Sequence, residues 1–404
     1  MKICFLVWSP DISGGTNVIL EHAVRLGEYG NDVTIVTESS VTEKDIAWFD
    51  GASSLNWRTY DEVANEYFDL TFATWWRTVF YLKRITSSRY AYFVQSIESK
   101  FYPEGDVVLR NLIEQTYSLE LDIITEATWI ADYLSNQYGR DVQLVKNGIR
   151  KEFFNTQIEP VEKRDVNKFR VLVEGPLNVS FKNTELAVTL ANQSNADEIW
   201  LLTSSPIGAY EGVDRLFSKV PMSQVGEIYS SCDVIVKLST VEGMFGPPLE
   251  CYHCGGTSIS YDVTGYDEYI ENGVNGLVSY NRNNDDIVKK INQLVEDRSL
   301  LTSLQNNALE TAKNWPNWQE SSQQFEKSCQ QILANTKLKQ NISQISVKAD
   351  LMFSTYEAHI AIPQGQVITL GIKGALIQRI RLSTPRLFKL LTKVRNYLHP
   401  MLNR

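Results

Sequence analysis

The chain has 404 residues, 43% of them apolar and 22% charged, and a formal net charge of −9. That length holds two ordinary domains plus an appendage, and the composition excludes a fibrous or disordered chain. The acidic balance argues against nucleic acid as a partner, and no apolar run reaches membrane-spanning length.

Ile3 to Trp8 reads as a buried first strand; with Pro10 close behind, it makes a poor signal peptide, so a cytoplasmic location is expected. A glycine loop follows at 9–15, ending in Gly14-Gly15. Thr16 to Tyr29 sets Val18, Ile19, Ala23, Val24 and Leu26 on a helical period, and Gly30 is placed to cap the helix end. Val33 to Val36 is the next strand. Strand, glycine loop, helix and strand make a βαβ unit whose loop lets backbone amides approach an anion. The loop is not a GxGxxG fingerprint, so ordinary dinucleotide binding is not indicated.

Leu70 to Thr74 and Ala91 to Gln95 read as further strands, with Trp75-Trp76-Arg77 and a basic connector between them. Residues 96–103 form a polar, aromatic loop at a strand's C-terminal end. Such loops line ligand crevices, which would put Gln95 and Glu98 on an acceptor or sugar side. A solvated loop fits the same residues. Val107 to Leu119 and Ile130 to Tyr138 are expected helices; Leu121 to Thr125 and Val142 to Val145 are expected strands. Asn147-Gly148 marks a turn, and the domain boundary is placed there.

The second half repeats the alternation. Expected strands are Arg170 to Val173, Glu198 to Leu202, Cys232 to Leu238 and Thr257 to Tyr261, with a short one ending at Val278. Expected helices are Thr184 to Asn192, Met222 to Ser230, Asp285 to Asn306, Leu309 to Lys313 and Phe325 to Leu333, with Trp315-Pro316-Asn317-Trp318 as a break. Strands alternating with helices in both halves predict an α/β chain of two doubly wound parallel sheets. Five cysteines show no disulfide framework; the lone Cys251/Cys254 pair reads as small residues filling a helix–sheet contact.

The stretch 239–256, STVEGMFGPPLECYHCGG, reads as strand end, loop and helix start, because Pro247 and Pro248 suit a first helical turn. Its free N–H groups and the helix's positive end would face a crevice. Glu242 and Glu250 suit the hydroxyl-bearing ends of a nucleotide-diphosphate sugar, and the amides of Gly243 to Gly246 with Lys182 suit its charged middle. A loop charge and an acid at a helix N-terminus would account for the same two carboxylates.

From Met1 to about Leu333 the chain resembles retaining glycosyltransferases of family 4, which have the GT-B fold. The matching residues run in order: Gly14-Gly15; Lys146-Asn147-Gly148-Ile149 with Phe153; Lys182-Asn183; Glu242 through Glu250; Thr264-Gly265-Tyr266-Asp267-Glu268; and Asn272 to Val278. Tyr92 to Gln95, Phe101-Tyr102-Pro103 and Pro247 to Glu250 look most like the branch using dTDP-rhamnose. The resemblance implies two Rossmann-like domains facing a cleft: 1–148 on the acceptor side, 149–314 on the donor side. A helix at 315–334 would cross back to the first domain, and 335–404 would be a linker and basic tail.

The implied roles are specific. Glu250 would bind the donor ribose, and Glu242 would face the transferred sugar. Lys182, with Asn183 beside it, and the amides around Gly243, Met244, Phe245 and Gly246 would stabilise the departing diphosphate. Gly265 would line the same pocket, while Gly14 and Gly15 close on it from the other domain. No metal or cofactor is implied. Two residues depart from the family pattern: the loop Gly175-Pro176-Leu177 lacks an arginine common there, and the second glycine of the Glu-Gly-Met-Phe-Gly run is shifted one place.

The last residues, 373–404, carry basic and apolar side chains, and no acid follows Glu357. This suggests an amphipathic segment on an anionic membrane surface, matching a lipid-linked glycan acceptor and a peripheral position on the inner face of the cell membrane. Docking on the acidic body is the other use for it. A non-catalytic nucleotide-sugar-binding scaffold and a two-domain epimerase are the competing functions.

Overall fold

Ile3, Cys4, Phe5 and Leu6 are all completely buried, as a central strand covered on both faces requires. In the computed structural model, which describes residues 1–360, they lie in β1 (Lys2–Leu6) of a seven-stranded parallel sheet. The others are β2 (Asp32–Thr37), β3 (Asn56–Thr59), β4 (Tyr67–Ala73), β5 (Thr86–Val94), β6 (Asp122–Thr125) and β7 (Val142–Leu144), in the order β3-β2-β1-β4-β5-β6-β7. Helices α1 (Gly14–Glu28), α4 (Val107–Thr116) and α5 (Thr128–Tyr138) connect them, with two single-turn helices, α2 (Glu43–Ile46) and α3 (Trp76–Val79).

The second sheet is also parallel, in the order β10-β9-β8-β11-β12-β13. Its strands are β8 (Arg170–Glu174), β9 (Glu198–Thr203), β10 (Arg215–Ser218), β11 (Val234–Lys237), β12 (Thr257–Tyr261) and β13 (Leu277–Ser279). Its helices are α6 (Thr184–Asn192), α7 (Met222–Ser231), α8 (Gly246–His253), α9 (Asn284–Glu296) and α10 (Arg298–Lys313). In each sheet the strand order reverses beside the first strand, between β1 and β4 and between β8 and β11. Crevices outside the carboxyl ends of such strand pairs are where open α/β sheets bind ligands.

The chain then returns to the first sheet. Trp315 Nε1 donates to Asn147 O at 2.8 Å, and Ile149 N donates to Pro316 O at 3.1 Å. Helix α11 (Trp318–Ala334) starts on a capping box, in which Glu320 N donates to Asn317 Oδ1 and Asn317 N to Glu320 Oε2, each at 2.9 Å. It inserts Phe325 among Phe5, Phe72, Phe93 and His22, completing that domain's core.

Several boundaries differ from the sequence expectation. The helix expected from Asp285 to Asn306 breaks at Asp297, whose carboxylate accepts from Leu300 N at 2.9 Å and starts α10. Helix α11 begins seven positions before Phe325, on the Asn317 cap; its first two turns carry few apolar residues, so the helical period is not legible there. Edge strands β3 and β10 were not expected at all. The polar stretch read as linker is helical from Ile342: α12 (Ile342–Ile360) buries Ile345 and Ala349 against the N-terminal domain. The basic segment 373–404 lies outside the described residues.

Candidate active site

The two carboxylates of the 239–256 stretch emerge where β11 ends. Thr264 Oγ1 accepts from Glu242 N at 3.0 Å and donates to Glu242 O at 2.8 Å, so the loop after β12 fixes the backbone of Glu242. Across from it, Phe181 O accepts from Thr240 N at 2.8 Å, which ties in the loop carrying Lys182. Lys182 Nζ reaches both carboxylate oxygens of Glu242, at 2.8 and 2.7 Å. Burial would raise the Glu242 carboxyl, but Lys182 and then Lys237 outweigh it and hold it below the usual carboxylate range. Glu242 is therefore a buried, ionised carboxylate.

Glu250 lies on α8, whose first turn holds Pro247 and Pro248. Its Oε2 accepts from Tyr229 OH at 3.2 Å. Burial, and then the Glu174 carboxylate, push it up to about 7. Asn183 has a left-handed backbone, and its Nδ2 braces Leu238 O at 3.0 Å; it shapes the Lys182 loop.

Lys237 was not anticipated. It is the last residue of β11, almost fully buried, and its Nζ lies 2.5 Å from Glu174 Oε2. Burial disfavours its charge, yet Glu174, Glu242 and Glu250 raise its pKa. Its ammonium is 3.8 Å from where a Cβ would stand on Gly175, so a cation borders the loop that lacks the arginine. A charge closing the apolar run Val234-Ile-Val was the legible signal.

The N-terminal domain meets this site directly. Glu126, just past β6, is buried; its Oε1 accepts from Met244 N at 2.9 Å and its Oε2 from Asn147 Nδ2 at 2.9 Å. Burial, then the Glu242 charge, push it up to about 7. Of the amides from Gly243 to Gly246 expected to face a diphosphate, two have partners within the protein. Met244 N–H is taken by Glu126, and Gly246 N–H donates to Met244 O at 3.0 Å within the turn. Phe245 is fully buried, with its carbonyl accepting from Tyr269 OH.

Gly243 permits the domains to touch. A Cβ there would stand 1.9 Å from Gln95 O and 2.7 Å from Glu126 Oε1. Gly265, at φ +79°, faces Gly243 O and the Trp129 indole, whose Nε1 donates to Gly243 O at 2.9 Å. Glu268 caps α5 from the other domain: it accepts from Thr128 N, from Thr128 Oγ1 at 3.0 Å and from Trp129 N at 3.2 Å, and Lys146 Nζ lies 3.3 Å away.

On the N-terminal side, Gly14 and Gly15 open α1 behind the Ser13 cap. A Cβ on Gly15 would lie 3.5 Å from the Gln95 side chain, whereas Gly14 has open space. Gln95 therefore sits in the cleft. Glu98 does not: it is buried inside the N-terminal domain, accepting from Trp76 N and Tyr92 OH at 2.8 Å each, and burial pushes it up to about 8. The 3-10 turn at 98–101 rotates it inward, which the polar loop sequence does not reveal.

The fold is GT-B. Sucrose-phosphate synthase from Thermosynechococcus elongatus superposes with a TM-score of 0.66 at 16% identity, over 83% of this chain and 99% of that one. HepE of Anabaena in complex with UDP and glucose gives 0.63 at 15% identity, over 82% and 100%. WaaG, a glycosyltransferase involved in lipopolysaccharide biosynthesis, gives 0.61 at 12%, over 82% and 100%. Residues 213–311 match the family profile described as "Glycosyl transferases group 1". The N,N'-diacetylbacillosaminyl-diphospho-undecaprenol alpha-1,3-N-acetylgalactosaminyltransferase of Campylobacter jejuni is 34% identical over 90 residues, 22% of this chain and 24% of that enzyme. The profile match lies wholly within the second sheet's part of the chain, and the solved structures share the fold.

Proposed function

We propose that the chain is a retaining, metal-independent glycosyltransferase. It moves a sugar from a nucleotide-diphosphate donor, with dTDP-rhamnose the first to test, onto a lipid-linked bacterial surface glycan. The Lys182–Glu242 pair at the mouth of β11 carries this reading. A diphosphate reaching Lys182 would replace one anionic partner by another. The released Glu242 carboxylate would then face the positive charge that develops on the sugar as the diphosphate leaves. Lys182 and the start of α8 supply positive potential there without a divalent ion. Glu250 takes the ribose hydroxyls, Gly14 and Gly15 admit the phosphates from the other side, and Gln95 faces the sugar.

The name of the Campylobacter jejuni enzyme specifies an undecaprenol-diphosphate-linked acceptor, and HepE holds UDP and glucose; both support the substrate classes. Among the described residues no helix is long and apolar enough to cross a membrane. The basic segment 373–404 would give peripheral contact with an anionic bilayer at the inner face of the cell membrane. Thermal melts against a panel of nucleotide sugars test the donor assignment: one of them should raise the melting temperature. No shift across the panel, together with no transfer, would defeat it. Flotation with anionic liposomes, with and without 373–404, tests the membrane contact.

A further inference from the structure

The donor site leaves one surface unexplained. Trp8, just past β1, is 44% exposed, although it is the largest side chain available. Trp75, Trp76 and Arg77 follow β4 after Thr74. β1 and β4 are the pair at which the N-terminal sheet reverses its order, so these residues flank that sheet's ligand crevice.

The rings of Trp8 and Trp75 meet edge to face at 5.3 Å and 68°. Between the indoles stands Arg77, with its guanidinium carbon 5.2 Å from Trp8, 5.3 Å from Trp75 and 4.9 Å from Trp76. The aromatic faces hold the cation in place. Arg77 is exposed and has no carboxylate partner among the described residues. A fixed guanidinium with free edge donors is built for an oxyanion. An exposed indole beside it offers an apolar face to the C–H side of a sugar ring. The surface also connects to the donor side: Trp76 N–H donates to Glu98, three residues after Gln95, whose carbonyl packs against Gly243.

We propose that Trp8, Trp75 and Arg77 form the acceptor subsite, and that it takes an anionic pyranoside with its ring against the indoles and its carboxylate or phosphate on Arg77. The ligand class rests on the glycosyltransferase reading; the geometry does not. The platform is separate from Lys182 and Glu242, so the two can be tested independently.

Binding of the full chain to an array of neutral pyranosides, uronides and sugar phosphates is the test. The wild type should hold the anionic members more strongly. Arg77→Gln should lower that binding roughly tenfold, to the level of neutral sugars, and Trp8→Ala should weaken both groups. Both positions are exposed, so both variants should melt like the wild type. Loss for uronides only, or for phosphates only, identifies which anion the subsite takes. Unchanged binding in both variants, or no pyranoside bound by the wild type, overturns the proposal. Platform-dependent binding with no nucleotide-sugar shift in the melts and no transfer would retain the subsite and reject the donor assignment.

Discussion

The backbone N–H of Met244 donates to Glu126 Oε1 at 2.9 Å, so a buried carboxyl of the N-terminal domain takes up an amide of the C-terminal one. This carboxyl has a folded pKa of about 7, above its ordinary 4.5. Between those values the folded chain keeps a proton that the unfolded chain has lost. Stability therefore falls as pH rises through that window and levels off above it, by up to about 1.4 kcal/mol per pH unit for one group. Glu126→Gln should remove this share of the slope, with Glu250 and Glu98 keeping the remainder. Melting temperatures from acid to neutral pH give the comparison; parallel curves would contradict it.

Lys182→Ala should lower transfer at saturating donor by roughly 100-fold or more, the scale expected when one electrostatic stabiliser of a leaving group is lost. The variant also leaves the buried Glu242 carboxylate without its paired ammonium, so the melting temperature should fall too, and turnover is compared where the variant is still folded. Wild-type turnover in this variant would remove Lys182 from the mechanism.

Gly243→Ala places a Cβ 1.9 Å from Gln95 O, a contact only domain separation relieves. We expect a larger radius of gyration in solution scattering and a donor KM raised roughly tenfold, since small misplacements of bound groups are costly. An unchanged scattering profile would show that the cleft is not closed this tightly.

Lys237→Met strips Glu174 of its counter-ion and should cost about 3 kcal/mol in urea unfolding. Adding Glu174→Gln should recover most of that loss, because the uncompensated charge goes with it. A double variant no more stable than the single one would mean that Glu174 is not the charge left uncompensated, and that Lys237 serves Glu242 instead.

The architecture was legible because its strongest signals are local. Ile3 to Leu6 and Val234 to Val236 are continuous apolar runs, and Gly14-Gly15 and Pro247-Pro248 mark the helix starts that follow them. The meeting of Lys182 with Glu242 was expected only as two contributors to one pocket; their direct pairing depends on the loop bond from Thr240 to Phe181, between residues far apart in the chain. Glu126 was not singled out and Glu268 stood only as part of a matching motif, because their partners lie on the other domain. Glu98 misled for the opposite reason: a single 3-10 turn decides whether it faces the cleft or the core. β3 and β10 are short, half-exposed edge strands, whose pairing with a neighbour rather than their composition defines them.

The return of α11 to the first sheet has a consequence for biosynthesis. When residues 1–148 have been translated, Phe5, Phe72 and Phe93 still lack the ring of Phe325 that covers them. That aromatic face stays open to chaperones, or to another nascent chain, until residue 334 has left the ribosome. Residues 149–314 contain their own sheet without interruption, so the domain made second is the one whose core can close first.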